Sequence, residues 1–391
     1  MRSTVLISRK GQPSLRGLSL EELQAVCGDL GEPAYRAKQL FQWLHRRQAE
    51  AWEAMTDLPR GLRERLARAY RLQATEPVME QRSADGTRKV LLRLADGQTV
   101  ETVGIPAVEP DGERRFTVCV STQVGCALAC AFCATGTMGL LRNLDAGEIV
   151  EQVYRFVRRA GDEPGRGVTH VVFMGMGEPL HNYEATVRAI RLLNHPLGLR
   201  LGVRRITVST SGLVPEMERL LQEGLDVNLA VSLHAPDDAL RSALVPLNRR
   251  YPIAEVLRAA ERYAATTGRR VSFEYIMIDG VNDSPRHARA LVNVLPKHRA
   301  HVNLIPMNPT HAADFRPSPP ERVLAFQREV IRGGVPCTIR APRGRDIAAA
   351  CGQLRTEVER RPTGSTGAAR VVASSAQAAE PRQGERARHD E

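Results

Sequence analysis

Over roughly the first seventy residues, apolar side chains recur at intervals of three and four, the period of a helix with one greasy face. LSLEELQAVCGDL, YRAKQLFQWLHR and LPRGLRERLARAYRL are predicted as three such helices, and Ser19 with Glu22 has the spacing of a capping box at the start of the first. The period then shortens to two. KVLLRLADGQTVETVGIP reads as a β-hairpin turning at Asp96-Gly97. From Phe116 onward the strand-like runs FTVCVST, VTHVVFMGM, RITVSTSG, VNLAVSLHA, VSFEYIMIDG and HVNLIPMN are each separated by a helix-length segment, and VPCTIRA offers a further strand. This alternation predicts a parallel sheet with right-handed crossovers. Six units fall short of the eight that close a full barrel, so the fold class is α/β, an incomplete (β/α)6 barrel behind a small helical domain.

The strands are not uniformly apolar, as strands buried on both faces would be. In RITVSTS, Ile206 and Val208 oppose Thr207, Ser209 and Ser211; in NLAVSLH, Leu229, Val231 and Leu233 oppose Asn228, Ala230, Ser232 and His234. In FTVCVS, Phe116, Val118 and Val120 oppose Thr117, Cys119 and Ser121. Helices are expected against the apolar face, and a lumen holding a polar ligand on the other. The expected organisation is a helical accessory domain at 1–75, a hairpin linker at 76–112 and the partial barrel at 113–355. Residues 356–391 hold too few large apolar residues for a core and are expected to be a disordered tail.

Charge adds a partner class. The chain has 391 residues and a formal net charge of +11, which suits a polyanion, although a generally arginine-rich composition explains such a surplus equally well. Residues 1–72 carry 13 basic against 8 acidic residues, a net +5 that fits RNA contact by the helical domain. MRSTVLISRKGQPSLRG has charges on both sides of a very short apolar stretch, unlike a secretory signal, and no later run approaches the roughly 18 apolar residues of a membrane span. A cytoplasmic protein without membrane contact is expected, in which clustered thiols point to metal or redox chemistry.

Four of the seven cysteines fall in CVSTQVGCALACAFCATG. Cys126, Cys130 and Cys133 form C-x3-C-x2-C, one thiolate short of a structural zinc site and one short of filling a four-iron cube. A cluster held this way keeps one iron open for a substrate or cofactor. The other reading is three core cysteines on one helix face.

This motif, placed after the first strand of a partial barrel, resembles the radical S-adenosylmethionine (SAM) superfamily. The resemblance implies a [4Fe-4S] cluster whose open iron is chelated by SAM and whose electron splits the sulfonium. GMGEP resembles the superfamily's Gly-rich SAM motif, with Gly177 letting the cofactor approach the backbone and Glu178 taking its ammonium group. It is not a dinucleotide fingerprint, because position 180 is leucine. Ser209, Ser232, Leu233, His234 and Asn308, at or near later strand ends, are assigned by the same resemblance to the ribose, carboxylate and adenine of SAM.

The likeness narrows further. CVSTQVGCALACAFC, VVFMGMGEPLHNYE, RRITVSTSGLVPEM, LAVSLHAPDDALRSALVPLNRRYP, FEYIMIDGVNDS, VNLIPMNP and RGRDIAAACGQLR together resemble the RNA adenine C2-methyltransferases of the RlmN type, over about residues 18 to 357. EPAYRAKQLFQWL and MTDLPRGLRERL are similar to that family's helical RNA-binding domain. The resemblance implies two SAM molecules per turnover. Cys351 takes a methyl group from one by displacement, and a 5'-deoxyadenosyl radical from the other removes a hydrogen from it, so that the methylene adds to adenine C2. Cys119 then attacks the Cys351 sulfur, releasing product and leaving a disulfide, and Glu101 is the base.

Without the family, Glu101 reads as a solvent-facing strand residue and Cys119 and Cys351 as core cysteines; Cys27 and Cys337 read as packing residues. The implied partners are 23S ribosomal RNA near the peptidyl transferase centre, transfer RNA at the adenine beside the anticodon, an electron donor such as flavodoxin, and a thiol reductant. Arg204, Arg205, Arg249 and Arg250 are candidate phosphate contacts. Three alternatives stand: a sister enzyme methylating C8 of the same adenine, a glycyl-radical activase with no need of Cys119 or Cys351, and a zinc-bearing RNA adaptor with His234 as a fourth ligand.

Overall fold

The computed structural model describes residues 12–109, 111–157, 167–310 and 314–354; the predicted tail lies outside the described residues. Three helices come first: α1 (Leu20–Asp29), α2 (Tyr35–His45) and α3 (Arg60–Ala69). The capping box forms as expected, with the Glu22 amide donating to Ser19 Oγ at 3.2 Å and the Ser19 amide to Glu22 Oε2 at 2.8 Å. Leu23, Cys27, Leu40, Phe41, Leu44, Leu62 and Leu66 are fully buried in a core shared with the barrel, so Cys27 is a packing residue. The helical segment is held to the barrel by polar contacts as well. Buried Arg16 donates to Ala49 O at 2.7 Å and stands 3.7 Å from Glu151, and His45 Nδ1 lies 2.7 Å from the Tyr154 hydroxyl.

Strands β1 (Thr75–Arg82), β2 (Arg88–Leu94) and β3 (Thr99–Val108) form an antiparallel strip. The predicted turn at Asp96-Gly97 joins β2 to β3, with the Leu94 amide bonded to Gln98 O at 2.8 Å. Strand β1 has no counterpart in the sequence reading, because TEPVMEQR is nearly all exposed and shows no apolar face. Strand β4 (Arg114–Cys119) pairs antiparallel with β3 and then parallel with the barrel strands, so the strip continues the main sheet.

Beyond β4 come the short pair β5 (Gln123–Gly125) and β6 (Leu140–Asn143), then α4 (Ala146–Tyr154) and β7 (His170–Phe173). The βα rhythm continues with α5 (Tyr183–Asn194), β8 (Ile206–Thr210), α6 (Val214–Gln222), β9 (Asn228–Ser232), α7 (Asp238–Leu244) and α8 (Ile253–Thr267). It ends with β10 (Val271–Met277), α9 (Pro285–Val294), β11 (Ala300–Pro306), α10 (Pro320–Arg332) and β12 (Cys337–Ile339). The sheet order is β1-β2-β3-β4-β7-β8-β9-β10-β11-β12, an open series whose last seven strands are parallel and sequential. It is an incomplete barrel, with the optional VPCTIRA strand present as β12.

The predicted alternation holds where it matters most. On β8, Ile206, Val208 and Thr210 are buried, while Thr207 and Ser209 on the opposite face are half-buried. Parallel strands in sequential order bring all their C-terminal ends to one rim, which is where side chains from distant parts of the chain can meet.

Candidate active site at the C-terminal ends of the parallel strands

The cysteine loop leaves β5 through Gly125 and returns through β6. Gly125 has φ +77°, and a Cβ there would lie 1.8 Å from Gly139 O, so only glycine closes this corner. Cys126, Cys130 and Cys133 lie in the loop between β5 and β6 and not on a helix, which removes the helix-face reading. All three line one cavity. Burial pushes the Cys126 thiol up to about 12 and raises Cys130 and Cys133 as well, with the three sulfurs adding mutual repulsion at Cys130. Left empty, the loop therefore holds neutral thiols; a bound cationic cluster would favour their ionised form. Among the described residues no three His, Cys, Asp or Glu converge as a single ion would require. Three thiols lining one cavity suit a group with several metal corners, each taking one thiolate.

The same cavity is lined by Gly177, Glu178, Ser209, Ser232, His234 and Cys351. Gly177 has φ +97°, and a Cβ there would sit 2.5 Å from the Gln123 side chain. Burial lifts the Glu178 carboxyl to about 7, although the Ser211 and Leu180 amides donate to it at 2.9 and 3.2 Å. Burial drives His234 down to about 3; its Nδ1 accepts from the Ile276 amide at 3.1 Å, which leaves the hydrogen on Nε2. Leu233 is not brought to the cavity: its side chain is in the core, and only its backbone serves the site, bonding Glu274 O and Arg241.

A second cavity shares Met174, Ile305, Arg340, Cys351 and Leu354 with the first and adds Cys119 and Asn308. Asn308 Nδ2 donates to Cys351 O at 3.3 Å. Two bonds tie the Cys351 loop to the cysteine loop, Ala134 N to Gly352 O at 2.9 Å and Thr135 Oγ1 to Leu354 O at 2.6 Å. The Cys119 thiol is pushed up to about 12 by burial and by Cys351, while Arg340 pulls it down. Cys337, on β12, lines neither cavity and is buried as a packing residue.

Glu101 is 4% exposed, the opposite of the solvent-facing residue its strand pattern indicates. It pairs with Lys89 at 2.9 Å, and Lys89 Nζ donates to Ala348 O at 3.3 Å, three residues before Cys351. Neither cavity is lined by Glu101 itself. Arg204 and Arg205 precede the N-terminal end of β8, at the opposite rim from the cavities, whereas Arg249 and Arg250 are exposed in the segment that follows β9 and α7.

Three charges escaped the sequence reading, Glu274 and Arg241 buried and Arg340 half-buried. Glu274, on the lumen face of β10, accepts from Asn303 Nδ2 at 2.9 Å; burial raises its carboxyl and Arg340 opposes this. Arg340 lies just after β12, and its charge is favoured first by Cys351, then by Glu274 and Cys119. An isolated charge inside an apolar run, in VSFEYIM and in CTIRA, was the available signal. Arg241 is fully buried and donates to Ser211 O at 2.7 Å, Ser232 O and Leu233 O at 3.1 Å and Asn248 Oδ1 at 2.9 Å. It clamps the ends of β8 and β9 together. Arg241→Met should cost about 3–5 kcal/mol, because several buried oxygens lose their donors at once. A lowered denaturant midpoint at unchanged slope is the check.

A partial parallel barrel with three loop thiols on the wall of its rim cavity defines a radical SAM protein, and the family model described as the Radical SAM superfamily matches residues 120–291. A second model, the Ribosomal RNA large subunit methyltransferase N-terminal domain, matches residues 14–72. The chain is 48% identical to a probable dual-specificity RNA methyltransferase RlmN of Symbiobacterium thermophilum, over 92% of this chain and 96% of that one. It is 50% identical to the dual-specificity RNA methyltransferase RlmN of Anaeromyxobacter dehalogenans, over 88% and 92%. A solved radical SAM methyltransferase from Sphaerobacter thermophilus superposes with a TM-score of 0.83 at 53% identity, covering 88% of this chain and 99% of that one. The chain belongs to the RlmN family of SAM-dependent RNA methyltransferases. As a radical SAM protein it uses a [4Fe-4S] cluster and SAM, and the three thiols and the polar rim cavity fit those groups.

Proposed function

We propose that this chain methylates C2 of an adenine near the peptidyl transferase centre of 23S ribosomal RNA and, as the dual-specificity names of its relatives suggest, the adenine beside the anticodon in transfer RNA. The observation that carries the reading is the meeting of Cys119 and Cys351 on one cavity wall. A glycyl-radical activase has no use for two such thiols, whereas a methyl carrier needs one thiol to take the carbon and another to release it.

In this reading Cys126, Cys130 and Cys133 hold the cluster. Gly177, Glu178, Ser209, Ser232, His234 and Asn308 hold SAM, and the Leu233 backbone positions its strand end through its bonds to Glu274 O and Arg241. When bound, cluster and SAM together supply the one-electron cleavage that removes a hydrogen atom from an S-methyl group. Adenine C2 is electron-poor and cannot itself displace a methyl group from a sulfonium, so Cys351 does so and carries the carbon to C2. The adduct radical must lose one electron, returned to the cluster, and the C2 proton, which Glu101 takes, with Lys89 linking Glu101 to the Cys351 loop. The Cys119 thiolate attacks the Cys351 sulfur, the carbon–sulfur bond breaks with its electrons leaving to the product carbon, which takes up a proton to become the methyl group, and a disulfide remains for a cellular thiol to reduce. Half-buried Arg340 stabilises negative charge on either sulfur.

The helical segment 1–75 serves RNA contact, 76–112 links it to the barrel at 113–355, and the tail 356–391 stands outside the chemistry. Among the described residues no helix is long and apolar enough to cross a membrane, and we place the enzyme in the cytoplasm with its RNA, a flavodoxin-like electron donor and a thiol reductant. The test is expression in a bacterium lacking this modification, followed by mass mapping of its ribosomal and transfer RNA. We expect 2-methyladenosine at both sites. Finding 8-methyladenosine would make the chain the C8 enzyme, and unmodified RNA would reject the assignment.

A further inference from the structure

Away from the two cavities, a groove of about 650 Å3 runs between the β1–β2 turn, the paired ends of β3 and β4, and the loop after β12. Five arginines line it: Arg82, Arg88, Arg114, Arg115 and Arg343. Glu80 neutralises part of this charge by pairing with Arg88 at 2.8 Å and Arg82 at 3.0 Å, and Glu109 lies 3.4 Å from Arg115. Asp85, an acidic residue of the lining, has its carboxylate turned onto the Thr87 and Gly344 amides at 2.9 and 3.0 Å. Arg114 and Arg343 are exposed and have no ion pair among the described residues. Between the arginines the wall is apolar, with Val108 71% exposed beside Pro106. Uncompensated cations next to exposed apolar surface match a chain of phosphates joined by sugars and bases.

The groove is fastened to the reaction centre. Arg343 lines both the groove and the cavity of Cys119 and Cys351. The β1–β2 turn is stitched to the segment leading into Cys351 by Asp85 on Gly344 and by the Ala84 amide on Asp346 at 3.3 Å. We propose that this groove binds the phosphodiester backbone of the RNA that flanks the target adenine, with Arg114 and Arg343 as its phosphate contacts. The proposal rests on the RNA methyltransferase reading and adds a second RNA surface, beyond the helical segment. An enzyme that draws one base out of a loop must hold the strand beside it, and an arginine groove that shares Arg343 with the cavity does this without reading sequence.

The test uses the full-length holoenzyme and a fluorescein-labelled hairpin transcript of the 23S target loop. Arg114→Gln/Arg343→Gln should weaken hairpin binding about tenfold and reduce the slope of log affinity against log salt by about 0.7–0.9 for each phosphate left without its cation. The KM for the hairpin should rise in step. Arg114→Lys/Arg343→Lys, which keeps the point charges, should restore the slope. Arg258→Gln/Arg328→Gln, exposed on α8 and α10, removes the same charge elsewhere and should leave binding near the wild-type value. The proposal is overturned if the groove variant binds like wild type, or if the charge-matched control weakens as much. These outcomes are separable from failure of the functional reading, in which the unaltered enzyme would methylate no RNA at all.

Discussion

Cys351→Ala is expected to abolish RNA methylation while leaving the protein folded. The loss should approach the roughly 10^6-fold fall that follows removal of a covalent nucleophile, because adenine C2 has no other route to the methyl carbon. Cys351 is half-buried at the wall between two cavities, so trimming its sulfur leaves little void and should change stability by no more than about 1 kcal/mol. Two measurements check this together: nucleoside mass spectrometry for 2-methyladenosine, and peptide mass spectrometry for an S-methyl group on residue 351 in the wild type alone. Persistence of 2-methyladenosine in the variant would refute the role given to this sulfur.

Cys119→Ala should have a different outcome of comparable size. Addition to the base can proceed but release cannot, so the enzyme should accumulate covalently joined to its RNA, as a slow band on a denaturing gel that ribonuclease collapses. Multiple turnover should fall to a single partial turnover. The thiol of Cys119, pushed up to about 12 by burial, is protonated at neutral pH. Its ionised fraction therefore grows about tenfold per pH unit below that value, and release of the adduct in the wild-type enzyme should accelerate with pH, whereas the trapped adduct of the variant should not respond. A variant that turns over normally, with no RNA-linked protein, would remove Cys119 from the pathway.

The parts of the site differ in how far they could be read along the chain, and the difference has a physical cause. C-x3-C-x2-C and GMGEP are local: a few consecutive residues set the spacing of the thiols and the corner that needs Gly177. Strand alternation is local too, which is why the lumen faces of β8 and β9 were predicted with Ser209 and Ser232 on them. Glu101 shows where this fails. Its strand pattern says which side it faces, but Lys89 and the Cys351 loop, from the neighbouring strand and the far end of the chain, decide that the side is dry.

Periodicity and motif spacing thus establish the helical start, the succession of strand and helix, the spacing of the three loop thiols and the glycine corner, since each depends on neighbours a few residues away. The placing of Cys119 and Cys351 on one cavity, of half-buried Arg340 and buried Glu274 near them, the clamp by Arg241, and the arginine groove depend on sheet order. A side chain's alternation states its face and nothing about what another strand, hundreds of residues later, will place opposite it. Those contacts exist once sequential parallel strands bring their ends to a common rim, and the chemistry follows from them.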